Sequence, residues 1–142
     1  MKVKCTFATV NGKCMNPINT ICYDIKSGVV KNIMYAAQKN KMVNMLGAFD
    51  DQDLLINCLK EHNNIGIIII GLLTNESTSL YFVKKILKIN PSAILVAYTF
   101  IESKFIIDSL IDEGVANVFH KSQSHEVVIS KAIEIYQNKI AR

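Results

Sequence analysis

Apolar and polar residues follow two different periods along this chain. From about residue 19 onward, short runs rich in β-branched residues precede segments in which apolar residues recur every three or four positions. The short runs predict five strands, Asn19–Tyr23, Met42–Ala48, Ile65–Ile70, Ala93–Thr99 and Val115–His120. The intervening segments predict five helices, which begin near Ser27, Asp50, Thr78, Glu102 and Ser124. The pattern therefore predicts a regular alternation of strand and helix.

The predicted strand Ile65–Ile70 is apolar at every position except Gly66. A strand of this kind must be covered on both faces, as central strands of parallel sheets are. Strands that alternate with helices predict a parallel sheet between two helical layers. Five such units indicate an α/β fold, the flavodoxin-like doubly wound (βα)5 arrangement.

The first 18 residues do not fit this alternation. Apolar and polar residues alternate from Lys2 onward, and Asn11-Gly12 is a strong signal for a tight hairpin turn. We predict an N-terminal β-hairpin that pairs Lys2–Val10 with Lys13–Ile18, as an extension (1–18) of a main domain (19–142). The alternative makes Val3–Thr9 the first core strand, which would leave Asp24 without a special position.

Composition limits the function classes. The 142 residues are half hydrophobic and 20% charged, which predicts one globular domain. The longest apolar stretch is too short to span a membrane, so we expect a cytoplasmic protein without membrane contact. The net charge of +4 comes almost wholly from scattered lysines, and Arg142 is the only arginine. This weak basic footprint argues against direct nucleic-acid binding by this chain.

The sequence shows no metal-binding motif. Cys5, Cys14, Cys22 and Cys58 form no CxxC pair and have no histidine at zinc-like spacing, so we interpret them as small buried hydrophobes. Asp50, Asp51 and Asp53 are interpreted as negative charge at a helix N-terminus. No metal and no cofactor are predicted.

Four residues stand where predicted strands end, namely Asp24, Gly71, Thr99 and Lys121. In open α/β sheets, the functional crevice lies beyond the carboxyl ends of the strands. The spacing from Pro91 to Thr99, Gly114 and Lys121, with the run Gly-Val-Ala-Asn-Val-Phe-His-Lys, resembles the response-regulator receiver domain over residues 19–140. The resemblance implies that acidic residues hold Mg²⁺, an aspartate accepts a phosphoryl group, and a hydroxyl and a lysine hold its oxygens.

The departures from the family pattern fall on this chemistry. Gly71 stands where the acceptor aspartate is expected, and Ile25 follows Asp24 where a second acid is expected. Val118 replaces the family's aromatic residue, and Ser122 its proline. The four strand-end residues are therefore interpreted as a degenerate phosphorylation pocket. In this pocket, the Thr99 hydroxyl either keeps a functional role or only bonds nearby backbone. Lys121 is predicted to pair with Asp24.

The resemblance implies a non-catalytic, phosphorylation-independent pseudo-receiver of bacterial two-component or phosphorelay signalling. It would act by protein–protein interaction, with a signalling component as partner and weak homodimerisation compatible with the fold. The candidate interaction face comprises Phe105, Val118, His120 and Tyr136. One alternative is the receiver part of a transcriptional response regulator. Another is a small flavodoxin-like ligand-binding protein or enzyme, against which no Gly-rich phosphate loop and no catalytic pair is present.

Overall fold

A computed structural model describes residues 9–10, 13–14, 16–72 and 76–140. The strands are β1 (Thr9–Val10), β2 (Lys13–Cys14), β3 (Ile18–Tyr23), β4 (Val43–Phe49), β5 (Ile67–Leu72), β6 (Ile94–Thr99) and β7 (Asn117–His120). The helices are α1 (Ser27–Gln38), α2 (Gln52–Glu61), α3 (Glu76–Ile89), α4 (Lys104–Glu113) and α5 (His125–Ile140). The predicted alternation of strand and helix is confirmed, with boundaries that differ by a few residues.

Five strands form one parallel sheet in the order β4-β3-β5-β6-β7. This order confirms the doubly wound α/β prediction. The strand that directly precedes Asp24 is β3. Strands β1 and β2 pair antiparallel, as the hairpin prediction requires. The other residues of that hairpin lie outside the described residues, except Ile18, which belongs to β3 rather than to the hairpin.

Helices cover both faces of the sheet and create two separate cores. Helices α2, α3 and α4 cover one face, where Leu55, Val83 and Leu110 are buried against the sheet. Helices α1 and α5 cover the other, where Ile33 and Ala132 are buried. Every residue of β5 and β6 is buried, because both faces of these central strands carry helices.

Strand β4, at one edge of the sheet, contains a β-bulge. Its pairing with β3 shifts register so that Met45 pairs with Thr20 but Gly47 pairs with Ile21, which leaves Leu46 as the extra residue. Leu46 packs on the α2–α3–α4 face, and a Cβ at Gly47 would meet the Phe49 ring on that side at 2.5 Å. Two successive positions thus face the same core, and a side chain at the second would displace the Phe49 ring.

Two helix ends have the caps that the sequence favours. The Asp51 side chain accepts hydrogen bonds from the backbone N–H groups of Asp53 and Leu54 at the start of α2. Gly114 follows α4 with a φ of 120°, a backbone conformation that favours glycine at a helix end. No described helix is long and apolar enough to cross a lipid bilayer.

Helix α5 differs from the prediction in the residues that it buries. The pattern places Val127, Val128, Ala132, Ile135 and Tyr136 inward. In the structure, Val127 is 42% exposed, and the fully buried residues are Val128, Ile129, Ala132 and Ile133. Val128, Ala132, Ile135 and Tyr136 pack in the α1–α5 core as predicted, whereas Val127 lies outside it, and Ile129 and Ile133 are buried there as well.

Candidate functional site

The carboxyl edge of the sheet carries the four strand-end residues. Asp24 directly follows β3, Thr99 is the last residue of β6, and Lys121 directly follows β7. Gly71 lies one residue before the end of β5, where it pairs with Tyr98 rather than with Thr99. The prediction that these positions lie at one edge of the sheet is therefore confirmed.

Asp24 and Lys121 form a buried ion pair, as predicted. Lys121 Nζ lies 2.6 Å from Asp24 Oδ2, and the side chains are 9% and 1% exposed. The other carboxylate oxygen, Oδ1, accepts a hydrogen bond of 2.9 Å from the backbone N–H of Lys26. Both oxygens of the only carboxylate among the four residues are thus engaged within the chain.

The Asp24 carboxylate occupies the space beside Gly71. A Cβ placed on Gly71 would overlap Asp24 Oδ2 and would lie 2.5 Å from Asp24 Cγ. No side chain could therefore stand at position 71 while Asp24 keeps this position. The absence of a side chain at Gly71 is what allows Asp24 to reach Lys121.

Aromatic rings surround the lysine. Lys121 Nζ lies 5.7 Å from the centroid of the Phe100 ring and 6.0 Å from that of Tyr98. The Tyr98 hydroxyl donates to the carbonyl oxygens of Lys121 and Gln123, at 3.2 and 2.6 Å, and so holds the β7–α5 connection. Burial, with a contribution from the Asp24 charge, raises the pKa of Tyr98 above its ordinary value. The sequence analysis missed this role of Tyr98.

Thr99 is completely buried and bonded to backbone. Its hydroxyl donates to the carbonyl oxygen of Leu72 at 2.9 Å and accepts from the N–H of Ile101 at 3.2 Å. These bonds match the interpretation of Thr99 as a hydroxyl that bonds nearby backbone.

The residues at this edge do not fit the magnesium site that the receiver resemblance implies. Mg²⁺ requires octahedral oxygen coordination, usually with carboxylate ligands. Gly71 supplies no carboxylate, and the oxygens of Asp24 are held by Lys26 and Lys121. Across the described part of the chain, no three His, Cys, Asp or Glu side chains come together as metal ligands.

The four residues of the candidate interaction face do not lie together. Phe105 is 71% exposed on α4, and His120 is partly exposed at the end of β7, where its Nε2 lies 3.5 Å from Glu102. Val118 packs partly buried against the α2–α3–α4 face. Tyr136 packs on the α1–α5 face, where its ring lies over Gly66 at the start of β5, away from the ends of β6 and β7.

An exposed ring that the face prediction did not include lies near His120. Phe100 is 59% exposed, and its ring centroid lies 5.7 Å from that of His120. We name Phe100, His120 and Phe105 the exposed aromatic surface, because the first two rings are adjacent and Phe105 is exposed at the start of the next helix, α4. Val118 and Tyr136 pack partly buried against the two cores.

Two described cysteines are buried, as expected. Cys22 is completely inaccessible, and burial, with a smaller effect from Asp24, raises the pKa of its thiol to about 12. Burial also raises the pKa of Cys58, whose sulfur lies 3.7 Å from His62 Nδ1. Raised pKa values keep both thiols protonated and unreactive at neutral pH. The side chains of Cys5 and Cys14 lie outside the described residues.

Comparison with solved structures identifies the fold. The RcsB response regulator of Salmonella typhimurium superposes with a TM-score of 0.75 and 23% identity, over 88% of this chain and 62% of the RcsB chain. This chain thus spans about three fifths of RcsB. A response regulator from Thermotoga maritima superposes with a TM-score of 0.72 and 14% identity, over 85% of this chain and 98% of its own.

A third similar structure belongs to a protein that is described as a pilus assembly protein and not as a response regulator. The pilus assembly protein CpaE of Caulobacter crescentus superposes with a TM-score of 0.71 and 13% identity, over 84% of this chain and 95% of its own. No protein-family model and no curated protein matches this chain. On the strand order, the strand-end residues and these superpositions, the chain has the fold of response-regulator receiver domains.

Proposed function

We propose that this chain is a non-catalytic, phosphorylation-independent receiver-like module that acts in signalling by binding other proteins. The ion pair between Asp24 and Lys121 beside Gly71 carries this proposal. In a phosphorylatable receiver, the lysine is available to a phosphoryl group on the acceptor. Here the Asp24 carboxylate, which follows β3, holds the lysine, and the acceptor is absent.

Three further contacts support a fixed state. The Thr99 hydroxyl is bonded to strand backbone, so it is not presented to a ligand. Tyr98 is anchored to the β7–α5 connection by two hydrogen bonds. A conformational switch requires a ligand that binds one state more tightly than the other. With no phosphoryl acceptor, a protein partner is the ligand that we propose for this role.

The contact surface of the module is proposed at the exposed aromatic residues beside the pocket. Phe100 and Phe105 expose most of their rings, and aromatic residues are enriched in protein interfaces. Weak homodimerisation through this surface belongs to the same proposal, as does a location in the cytoplasm.

The test is a titration of the ¹⁵N-labelled chain with Mg²⁺ and then with beryllofluoride, which mimics an aspartyl phosphate. We expect no saturable shifts at Gly71, Thr99 or Lys121 in the ¹H–¹⁵N spectrum. Saturable shifts confined to these residues would contradict the proposal, since they would require a complete phosphorylation pocket. A receiver with an intact acceptor, treated identically, is the positive control.

The similarity to RcsB favours a second candidate, the receiver part of a transcriptional response regulator. The RcsB structure is described in connection with DNA interaction, and RcsB extends beyond the region that superposes on this chain. The test is the coding sequence beyond Arg142. A helix-turn-helix segment there would support this candidate, and a stop codon directly after Arg142 would contradict it.

A further inference from the structure

A cavity of about 210 Å³ opens at the carboxyl edge of the sheet, beside Gly71 and on the α2–α3–α4 face. Its lining includes Tyr23 and Leu72 from the strands, Gln52 from the start of α2, and Thr78 and Phe82 from α3. The Asp24–Lys121 pair is not part of this lining. The cavity therefore shares Gly71 with the degenerate phosphorylation pocket but does not include its ion pair.

Two aromatic rings form adjacent walls of the cavity. The ring centroids of Tyr23 and Phe82 lie 5.2 Å apart, with an angle of 68° between the ring planes. Leu72 adds an apolar surface, and no described lining residue carries a formal charge. Such walls favour a ligand with an apolar body, and an aromatic ring attracts a cation that lies over its face.

The surroundings of the cavity are acidic. Strand β4 ends at Phe49, which pairs with Tyr23, so that Asp50 and Asp51 follow directly beside this ring. Asp51 caps the helix whose first residue, Gln52, lines the cavity. No ion pair in the described part of the chain includes Asp50, Asp51 or Asp53. Among the described residues, no ion pair therefore neutralises these three carboxylates.

The acidic charge acts on the cavity wall itself. Burial is the main cause that raises the pKa of Tyr23, and the charges of Asp24, Asp51 and Asp50 raise it further, against an opposing hydrogen bond from Gln52. The same field that disfavours a phenolate at Tyr23 favours a positive charge on a bound molecule.

We propose that this cavity binds a small organic cation, a protonated or quaternary amine attached to an apolar body. A cavity of 150 Å³ holds benzene, so the present volume suits a ligand of about 8–10 non-hydrogen atoms. The aromatic walls hold the apolar body. Asp50 and Asp51, here called the acidic rim, select the positive charge. This inference does not depend on the proposed function, because neither Asp24 nor Lys121 lines the cavity.

Three probes of one shape and different charge test the inference, namely benzylammonium, benzyl alcohol and benzoate. Each is titrated into the ¹⁵N-labelled chain. We expect benzylammonium to cause saturable shifts at Gly71, Leu72 and Ser79, and to bind at least about fivefold more tightly than benzyl alcohol. Absence of saturation by benzylammonium up to about 10 mM, or equal binding of benzoate, would overturn the inference.

Charge variants at the rim provide a second measurement. Asp50→Asn combined with Asp51→Asn removes two charges but keeps the helix cap, because asparagine caps as well as aspartate. We expect benzylammonium to bind this variant about fivefold more weakly, while Gln52→Glu strengthens binding. Asp108→Asn on α4 is the matched control and should change nothing. Unchanged affinity in both rim variants would also overturn the inference.

Discussion

Lys121 Nζ lies 2.6 Å from Asp24 Oδ2, although 97 positions separate the two residues in the chain. Strands β5 and β6 lie between the strands that carry them, so the ion pair crosses the ends of both. The pair is buried, and a carboxylate or an ammonium group left there without its partner would be an uncompensated buried charge. It therefore fixes the ends of β3 and β7 relative to each other.

The first prediction concerns the stability that depends on this pair. Lys121→Met removes the cation from a buried carboxylate, and we expect the free energy of unfolding to fall by about 3–5 kcal/mol. Asp24→Asn combined with Lys121→Met should cost less than the sum of the two single changes, since no charge is left unpaired. Urea denaturation measures all three variants.

An exposed pair supplies the control for this experiment. Lys84 lies 3.5 Å from Glu113, with 62% of the lysine side chain exposed. Lys84→Met should lower stability by less than about 1 kcal/mol. Equal losses at Lys84 and Lys121 would contradict the claim that burial makes the Asp24–Lys121 pair important.

The second prediction compares alanine at two glycines. Gly71→Ala places a Cβ onto the Asp24 carboxylate and should cost about 1–3 kcal/mol. Gly28→Ala lies in α1, where a Cβ meets nothing within 4 Å, and should raise stability by about 0.5–1 kcal/mol. Thermal unfolding distinguishes the two. A Gly71→Ala variant as stable as the wild type would show that Asp24 is not confined by Gly71.

The third prediction concerns a transfer of the carboxylate from position 24, after β3, to position 71 in the neighbouring strand β5. Gly71→Asp alone should destabilise the protein, because the new side chain overlaps Asp24 and adds a like charge. Adding Asp24→Gly removes the overlap and returns one carboxylate for Lys121. We expect the double variant to be more stable than Gly71→Asp alone, as measured by urea denaturation. A further loss of stability would contradict the exchange.

The fourth prediction concerns self-association through the exposed aromatic surface. Phe105→Ser should leave the free energy of unfolding within about 0.5 kcal/mol, because Phe105 is mostly exposed. It should weaken the homodimerisation that we propose, as measured by sedimentation velocity over a concentration series. Tyr81→Ser is the matched control, since Tyr81 is equally exposed on α3.

Two outcomes would contradict this fourth prediction. A wild-type chain that stays monomeric at every concentration would exclude homodimerisation as a property of the module. An equal effect of Tyr81→Ser and Phe105→Ser would show that general surface hydrophobicity, rather than this surface, causes association.

The fifth prediction concerns alkaline pH. The pKa of Cys22 is about 12 in the folded chain, against 9.0 for an unperturbed thiol. The unfolded chain therefore loses this proton first as the pH rises above 9.0, and the folded state is destabilised increasingly up to about pH 12. At about pH 10.5, the loss from this group is about 2 kcal/mol.

Cys22→Ala isolates this contribution. Tyr23, Cys58 and Tyr98 also have raised pKa values and change stability in the same direction, so wild type and variant share their effects. Between about pH 8 and pH 10.5, the wild type should lose about 2 kcal/mol more than Cys22→Ala, measured by urea denaturation. Parallel losses in the two proteins would mean that Cys22 titrates normally.

The fold could be predicted because the strongest local patterns of apolar residues agree with the positions that these segments take in the sheet and the helical layers. Apolar runs such as Ile67–Ile70 fit only a strand that is covered on both faces. In α5 the inward placement of Val127 was wrong, because the pattern does not show whether Val127 or Ile129, which lie on nearly opposite sides of the helix, faces the core. Packing against α1 decides between them, and α1 is distant in the chain.

The candidate site could be predicted in part. Strand ends locate Asp24 and Lys121 at one edge, and opposite charges at one edge favour an ion pair. The position of the Asp24 carboxylate beside Gly71 could not be predicted, because it depends on a side-chain conformation and on the bond from Lys26 N–H. The hold of Tyr98 on the β7–α5 connection depends in the same way on the path of a loop.

The bulge in β4 decides on which side of the molecule the acidic rim stands. Before the bulge, Val43 and Met45 face α1 and α5, and regular alternation would direct Phe49 to that side too. The extra residue, Leu46, reverses the alternation, so that Phe49 faces α2 and α3 instead. Asp50 and Asp51 follow directly after Phe49, which pairs with Tyr23. The placement of Asp50 and Asp51 therefore depends on the number of residues in the edge strand β4. It does not depend on the chemistry of any single residue of that strand.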